Sequence, residues 1–205
     1  MNKYLLEAIG TFFFVLTYTL TGNPIAIGAL YTALIYMCGY TTTGYFNPAV
    51  TFAIFLRKKI SFLVTMQYIV AQIIGAALAS LAYFTITNTT FLPKPGPNGT
   101  FYSTILIEIL FTLALALTVL HATNSKNSKT NPFYGLTIGM MLTAGIFTGS
   151  GISGAVYNPA LALGAAIIDT HIGSYLTFLL IYITAPLIGS ALASLIFRLT
   201  DRDDE

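Results

Sequence analysis

Charge is what this chain has least of: among 205 residues only 8 % are Asp, Glu, Lys or Arg, against about 25 % in a typical soluble domain. A surface so poor in charge cannot be solvated all round, which excludes an ordinary soluble globule. Cys38 is the single cysteine, so no intrachain disulfide can form, and its ordinary role is that of a small packed side chain. The two histidines, His121 and His171, stand apart near segment ends, where they read as interfacial, and no Cys/His cluster offers a metal site. No nucleophile–base pair is visible either, which argues against an enzyme. No cofactor is called for.

What the chain has instead is apolar length. Apolar residues make up 56 % and the mean hydropathy is +0.78. Six stretches, at 4–21, 25–42, 62–84, 102–122, 134–150 and 174–197, read as spans of a bilayer core of about 30 Å. Two shorter apolar pieces, 48–56 and 159–168, reach only about halfway at about 1.5 Å per residue. The first span has no cleavable small-residue site and reads as retained. With the loops assigned alternately, Lys3, Arg57, Lys58, Lys59, Lys126, Lys129, Arg198 and Arg202 fall on one side and Lys94 on the other. The excess of basic residues marks the cytoplasmic side, so both termini are expected there. The net charge of +2 therefore reports topology and not nucleic-acid binding.

The chain repeats itself. Residues 71–84, AQIIGAALASLAYF, match 185–198, APLIGSALASLIFR, at eight of fourteen positions. Glu7 in Leu5-Leu6-Glu7-Ala8-Ile9 corresponds to Glu108 in Leu106-Ile107-Glu108-Ile109. Each half reads span, span, half-span, span, and three full spans per half force the halves into opposite orientations. This is an inverted repeat about a pseudo-two-fold axis in the membrane plane. One transmembrane domain over 1–205 is expected, with halves at about 1–84 and 102–198 and a Pro-, Gly- and Asn-rich join at 85–101.

The tripeptide Asn-Pro-Ala opens both half-spans, as Asn47-Pro48-Ala49 and Asn158-Pro159-Ala160. Asn is a strong N-cap and Pro favours the first helical position, so each copy starts a helix. Each follows a Gly-, Thr- and Ser-rich re-entrant loop, 41–46 or 148–157. Irregular backbone at that depth survives only where protein or water satisfies it. With the halves inverted, two helix N-termini meet at mid-depth, each carrying about half a positive charge. Asparagine amides supply donors there, and free carbonyls of the preceding loops are expected to line the approaches. Such a track suits neutral hydrogen-bonding solutes and repels cations.

On these residues the chain resembles the major intrinsic protein family, the aquaporins and aquaglyceroporins. Gly44-Tyr45-Phe46-Asn47-Pro48-Ala49-Val50-Thr51 is close to the family's first signature, and Ala71-Gln72-Ile73-Ile74-Gly75-Ala76 resembles its third span. The resemblance implies an all-α membrane protein: an aquaporin-like bundle of six transmembrane helices plus two re-entrant half-helices. It implies a homotetramer in the lipid bilayer, each subunit with a pore for water or a small neutral solute, and we place it in the plasma (inner cell) membrane. It also favours a structural role for Glu7 and Glu108. A carboxylate inside a span costs about 2.5–3.5 kcal/mol on insertion scales, and these two read as acceptors for loop N–H groups. Glu7→Gln is then expected to conduct much as the parent does. Gly75 with Ala79 and Gly189 with Ala193 are small pairs that let helices cross closely.

The chain departs from the family at one place. Most members carry Arg directly after the second Asn-Pro-Ala; here the residue is Leu161. Ungapped offset from the asparagines puts the rest of the constriction at Ile27, Ile146 and Ala155, so no side chain of this filter donates a hydrogen bond. Loss of Arg widens the filter, whereas an apolar ring raises the cost of stripping water. The aromatic Tyr182 is nearer to the water-channel branch. A passive channel for water or small neutral solutes is the leading reading. Selectivity for glycerol, urea, ammonia or gas is the alternative within the class. A proton-coupled transporter using Glu7 and Glu108, and a non-conducting structural membrane protein, are the alternatives outside it.

Overall fold

A computed structural model describes residues 2–39, 41, 42, 44–125, 131–169 and 175–201. Lys126, Lys129, His171 and Arg202, named above, lie outside the described residues. Within the described residues the chain forms eight helices and no strand: α1 (Lys3–Thr21), α2 (Pro24–Cys38), α3 (Pro48–Leu56), α4 (Phe62–Thr87), α5 (Phe101–Asn124), α6 (Tyr134–Gly149), α7 (Pro159–Ile168) and α8 (Leu176–Thr200).

Three of these helices begin at an Asn-Pro step. Asn23, Asn47 and Asn158 are extended caps whose side chains accept N–H groups of the first turn, with Pro next in the chain. This is the local arrangement that Asn and Pro favour together. Asn2 caps α1 in the same way, and α1 ends at Gly22, whose φ of 57° only glycine adopts without strain. Thr100 and Ser103 close a reciprocal capping box at the start of α5.

Four helices, α1, α4, α5 and α8, are long and apolar enough to cross a membrane. The other two expected spans are shorter. α2 has 15 residues and α6 has 16, about 22–24 Å at the α-helical rise, less than the bilayer core. The apolar stretch at 25–42 continues past the helix because Gly39 donates to the carbonyl of Tyr36 and turns the chain out of it, while the N–H groups of Thr41 and Thr42 both return to the Cys38 carbonyl. α2 and α6 thus stop short and pass the chain to the re-entrant loops.

The halves interlock. Within each half the first and last helices pack together, α1 on α4 and α5 on α8. Each half-helix also packs against the last helix of the opposite half, α3 on α8 and α7 on α4. The repeat shows in the closest approaches. A Cβ at Gly75 would strike the Ala8 carbonyl, and one at Gly189 the Ile109 carbonyl. α2 crosses α6 where a Cβ at Gly28 would meet Thr143 Oγ1 and one at Gly139 would meet Thr32 Oγ1. The two threonine hydroxyls stand at the crossing itself and donate to the carbonyls of Gly28 and Gly139 in their own helices, each at 2.9 Å. Large apolar side chains such as Leu63, Leu106, Met140 and Leu195 are exposed on the outside, as a lipid-facing surface requires.

Candidate pore and its loops

The N-termini of α3 and α7 meet in the centre of the bundle, and the two asparagines tie them together. Asn47 Oδ1 accepts Ala49 N–H at 2.9 Å, and its Nδ2 donates to the Tyr157 carbonyl at 2.8 Å. Asn158 Oδ1 accepts Ala160 N–H at 3.0 Å, and its Nδ2 donates to the Phe46 carbonyl at 2.9 Å. Each asparagine therefore caps its own helix and grips the residue that precedes the other. Phe46 and Tyr157 adopt left-handed φ angles of 49° and 46°, which turn their carbonyls toward the opposite half. A primary amide has two N–H donors, so one per asparagine is committed to this clasp and one is left over. Pro48, Ala49, Pro159 and Ala160 are buried at the same junction.

The two carboxylates hold the loops behind the clasp. Glu7 accepts Tyr45 N–H at 2.9 Å and Phe46 N–H at 2.8 Å, one on each oxygen. Glu108 accepts Val156 N–H at 2.9 Å and Tyr157 N–H at 2.7 Å in the same manner. A hydroxyl five residues before each asparagine completes the set: Thr42 donates to Glu7 at 3.2 Å and Ser153 to Glu108 at 2.6 Å. Both glutamates are fully buried, and bonds of this charge-assisted kind are what make a buried carboxylate tolerable. The halves differ around the carboxylates at residue 72. Gln72 Nε2 reaches both Glu7 Oε2 and Thr51 Oγ1, each at 2.9 Å. The aligned residue in the second half is Pro186, which has no side-chain donor.

The structure leaves some of the loop carbonyls free and occupies the others. The Phe46 and Tyr157 carbonyls take the asparagine amides. Tyr31 donates its hydroxyl to the Tyr45 carbonyl at 2.7 Å, Tyr182 to the Ser153 carbonyl at 2.6 Å, and Tyr18 to the Gly154 carbonyl. The Ile152 and Gly151 carbonyls accept N–H groups of Gly96 and Asn98 from the loop that joins the halves. Buried carbonyls are satisfied wherever a donor reaches them, and tyrosines on α1, α2 and α8 reach these. Gly44, Ala155 and Val156 keep carbonyls that accept no bond among the described residues. Tyr182, read from sequence as an aromatic clue to the branch, is fully buried with its hydroxyl on a loop carbonyl.

The four positions expected to form the filter are all buried: Ile27 and Leu161 are 0 % exposed, Ala155 1 % and Ile146 2 %. Ile146 lies on the wall of a cavity of about 540 Å³ at the end of α1, also lined by Tyr18, Lys94, Ser150, Gly154 and Asp169. Asp169 there accepts the Thr90 hydroxyl at 2.6 Å. Ile27, Ala155 and Leu161 are off that wall. His121, at the end of α5, sets its ring edge-on to Phe197 at 4.8 Å and shares a 3.3 Å contact with the Thr200 hydroxyl. Cys38 is buried and unpaired.

Sequence reasoning passed over Thr42, Ser153, Tyr18 and Tyr31. The first two carried a signal, a hydroxyl at the same offset before both asparagines. The tyrosines carried none, because their partners are far along the chain.

Residues 1–197 match the model of the family described as Major intrinsic protein. The chain is 34 % identical over 223 residues to the glycerol uptake facilitator protein-like 6 of Lactiplantibacillus plantarum, covering all of both chains. It is 28 % identical over 221 residues to nodulin-26 of Glycine max, covering all of this chain and 80 % of that one. The fold superposes on the aquaglyceroporin of Plasmodium falciparum with a TM-score of 0.82 at 17 % identity, over 95 % of this chain and 94 % of that one. A family model matched along nearly the whole chain, two interlocked inverted halves and four membrane-length helices lead to one conclusion: this is an integral membrane protein that belongs to the major intrinsic protein family.

Proposed function

We propose that the chain is a passive channel for water and small neutral solutes, and that its path runs between the N-termini of α3 and α7, past Asn47 and Asn158. The observation that carries this reading is the reciprocal clasp, which holds two helix N-termini and two amide groups together at the centre of the bundle. Each amide keeps one N–H for a solute, and the two helix dipoles make the junction unfavourable for cations. The Ala155 and Val156 carbonyls supply acceptors on one side.

Ile27, Ile146, Ala155 and Leu161 form the outer constriction in this reading, an apolar ring without a donor. The cavity beside Ile146, with Lys94 and Asp169 on its wall, is the outer vestibule. Lys3 at the start of α1, Arg57 after α3 and Arg198 near the end of α8 supply the basic residues of the opposite end, which supports cytoplasmic termini. The functional unit is a homotetramer in the plasma membrane.

Stopped-flow light scattering of proteoliposomes, under water and then glycerol gradients, tests the reading. The parent is expected to conduct both and to exclude sodium. Leu161→Arg adds fixed donors and a permanent charge, and is expected to lower the glycerol-to-water ratio. An unchanged ratio removes Leu161 from the constriction. The Lactiplantibacillus relative is named as a glycerol uptake facilitator protein, and an aperture free of Arg suits a solute larger than water.

A further inference from the structure

The two halves of the path are related by the repeat, and comparing them position by position exposes a second break in the symmetry, after Gln72 and Pro186. Gly28 and Gly139, Thr32 and Thr143, and Asn47 and Asn158 are pairs 111 residues apart that occupy matching places. On the same offset Tyr45 pairs with Val156, and Tyr31 pairs with Leu142. Tyr31 covers the Tyr45 carbonyl with its hydroxyl at 2.7 Å. Leu142 has no donor, and the Val156 carbonyl accepts no bond among the described residues. One half of the path thus presents an open acceptor where the other presents a phenol.

The position of Tyr31 makes this consequential. It follows Ile27 by four residues, so the two share a face of α2 one turn apart. Its hydroxyl ends two residues before Asn47. Its ring is 2 % exposed and meets Phe46 edge-on at 5.9 Å and Phe14 at 5.3 Å. Phe46 is the residue whose carbonyl Asn158 grips. The tyrosine therefore touches the loop at both residues that precede the asparagine, and two aromatic rings hold it there.

We infer that Tyr31 is a specificity-determining residue, the size and exchange barrier on the inner side of the asparagines. This rests on the pore reading above. A solute leaving Asn47 and Asn158 on that side meets a hydroxyl already bonded to the acceptor it needs. Water passes by exchanging with the phenol, which both donates and accepts. A three-carbon polyol requires the ring itself to move away from Phe14 and Phe46. Selection by size then sits one turn inward from the apolar ring.

The test is stopped-flow permeability of Tyr31→Val and Tyr31→Phe in proteoliposomes, with insertion checked by size exclusion. Tyr31→Val is expected to raise water permeability about fivefold, the rate equivalent of one net hydrogen bond, and to raise glycerol permeability by a larger factor. Tyr31→Phe uncovers the carbonyl but keeps the ring, and is expected to raise water permeability less than Tyr31→Val does. Unchanged or lower flux in well-inserted Tyr31→Val overturns the proposal. If that variant does not insert, Tyr31→Phe decides: higher water flux supports the barrier, and unchanged or lower flux overturns it. Asn158→Leu separates the two readings. If it abolishes flux in the parent while Tyr31→Val changes nothing, only the role of Tyr31 fails. If the flux gained by Tyr31→Val persists in the Tyr31→Val/Asn158→Leu double variant, the path does not pass the asparagines and both readings fail.

Discussion

Asn47 and Asn158 hold each other's loops: each donates its side-chain amide to the carbonyl of the residue that precedes the other, at 2.8 and 2.9 Å. The residues are 111 positions apart in sequence, and this pair of bonds joins the two repeats at their common centre. The same side chains cap α3 and α7 with their oxygens. One residue type thus performs both helix initiation and cross-repeat fastening.

Replacing either asparagine by Leu removes a cap, worth about 0.5–2 kcal/mol, and a cross-repeat hydrogen bond, worth about 0.5–1.5 kcal/mol net. Thermal unfolding in detergent is expected to show both variants destabilised. The double variant is expected to lose less than the sum of the two, since the bonds act on one junction. Solute flux is expected to fall sharply in each single variant. Asn158→Asp keeps the oxygen that caps α7 but lacks the donor to Phe46, so its flux is expected to fall with a smaller loss of melting temperature than Asn158→Leu. A well-inserted Asn158→Leu protein with parental flux contradicts the pore assignment.

Glu7→Gln and Glu108→Gln are not silent changes in this structure. Both oxygens of each carboxylate accept a backbone N–H, so a glutamine must set its NH₂ against one of them whichever way it is turned. Leaving a buried donor unsatisfied costs about 1–3 kcal/mol. Beyond the hydroxyls of Thr42 and Ser153, which can turn to accept in either half, the first half has a further remedy. Gln72 has a buried Oε1 without a partner, and on turning over, this oxygen can accept from a glutamine at position 7. Glu108→Gln is therefore expected to unfold at a lower temperature than Glu7→Gln, and equal or reversed melting points contradict the assignment.

Gly75→Ala and Gly189→Ala test the close crossings. Each adds a methyl group where a carbonyl already stands, of Ala8 in the first half and of Ile109 in the second. Forcing one methyl group into such a contact costs about 1–3 kcal/mol. The two sites lie in different helix pairs, so their effects on unfolding are expected to add. A melting temperature unchanged by Gly75→Ala contradicts close packing of α1 on α4.

The sequence by itself determined the membrane class, the inverted repeat, the order of spans and half-spans, and the residues at which α3 and α7 begin. These properties are local or periodic. An apolar run too long for a soluble core, an Asn-Pro step and a repeated segment all act through neighbouring residues or through composition, and they are readable without knowing what lies opposite. The buried pair of glutamates was legible for the same reason, because a carboxylate in an apolar span needs donors nearby. The end of α2 was not legible, whereas α6 ends within one residue of the expected span. The expected span of α2 ran on through residues 39–42, but the N–H groups of Thr41 and Thr42 return to the Cys38 carbonyl and the helix ends there. The partners of the loop carbonyls were also decided by the tertiary structure alone. Tyr18 meets Gly154 across 136 positions and Tyr182 meets Ser153 across 29. Which carbonyl a hydroxyl reaches depends on how the helices cross, to within the few tenths of an ångström that make a hydrogen bond. No pattern along a single strand of sequence encodes that distance.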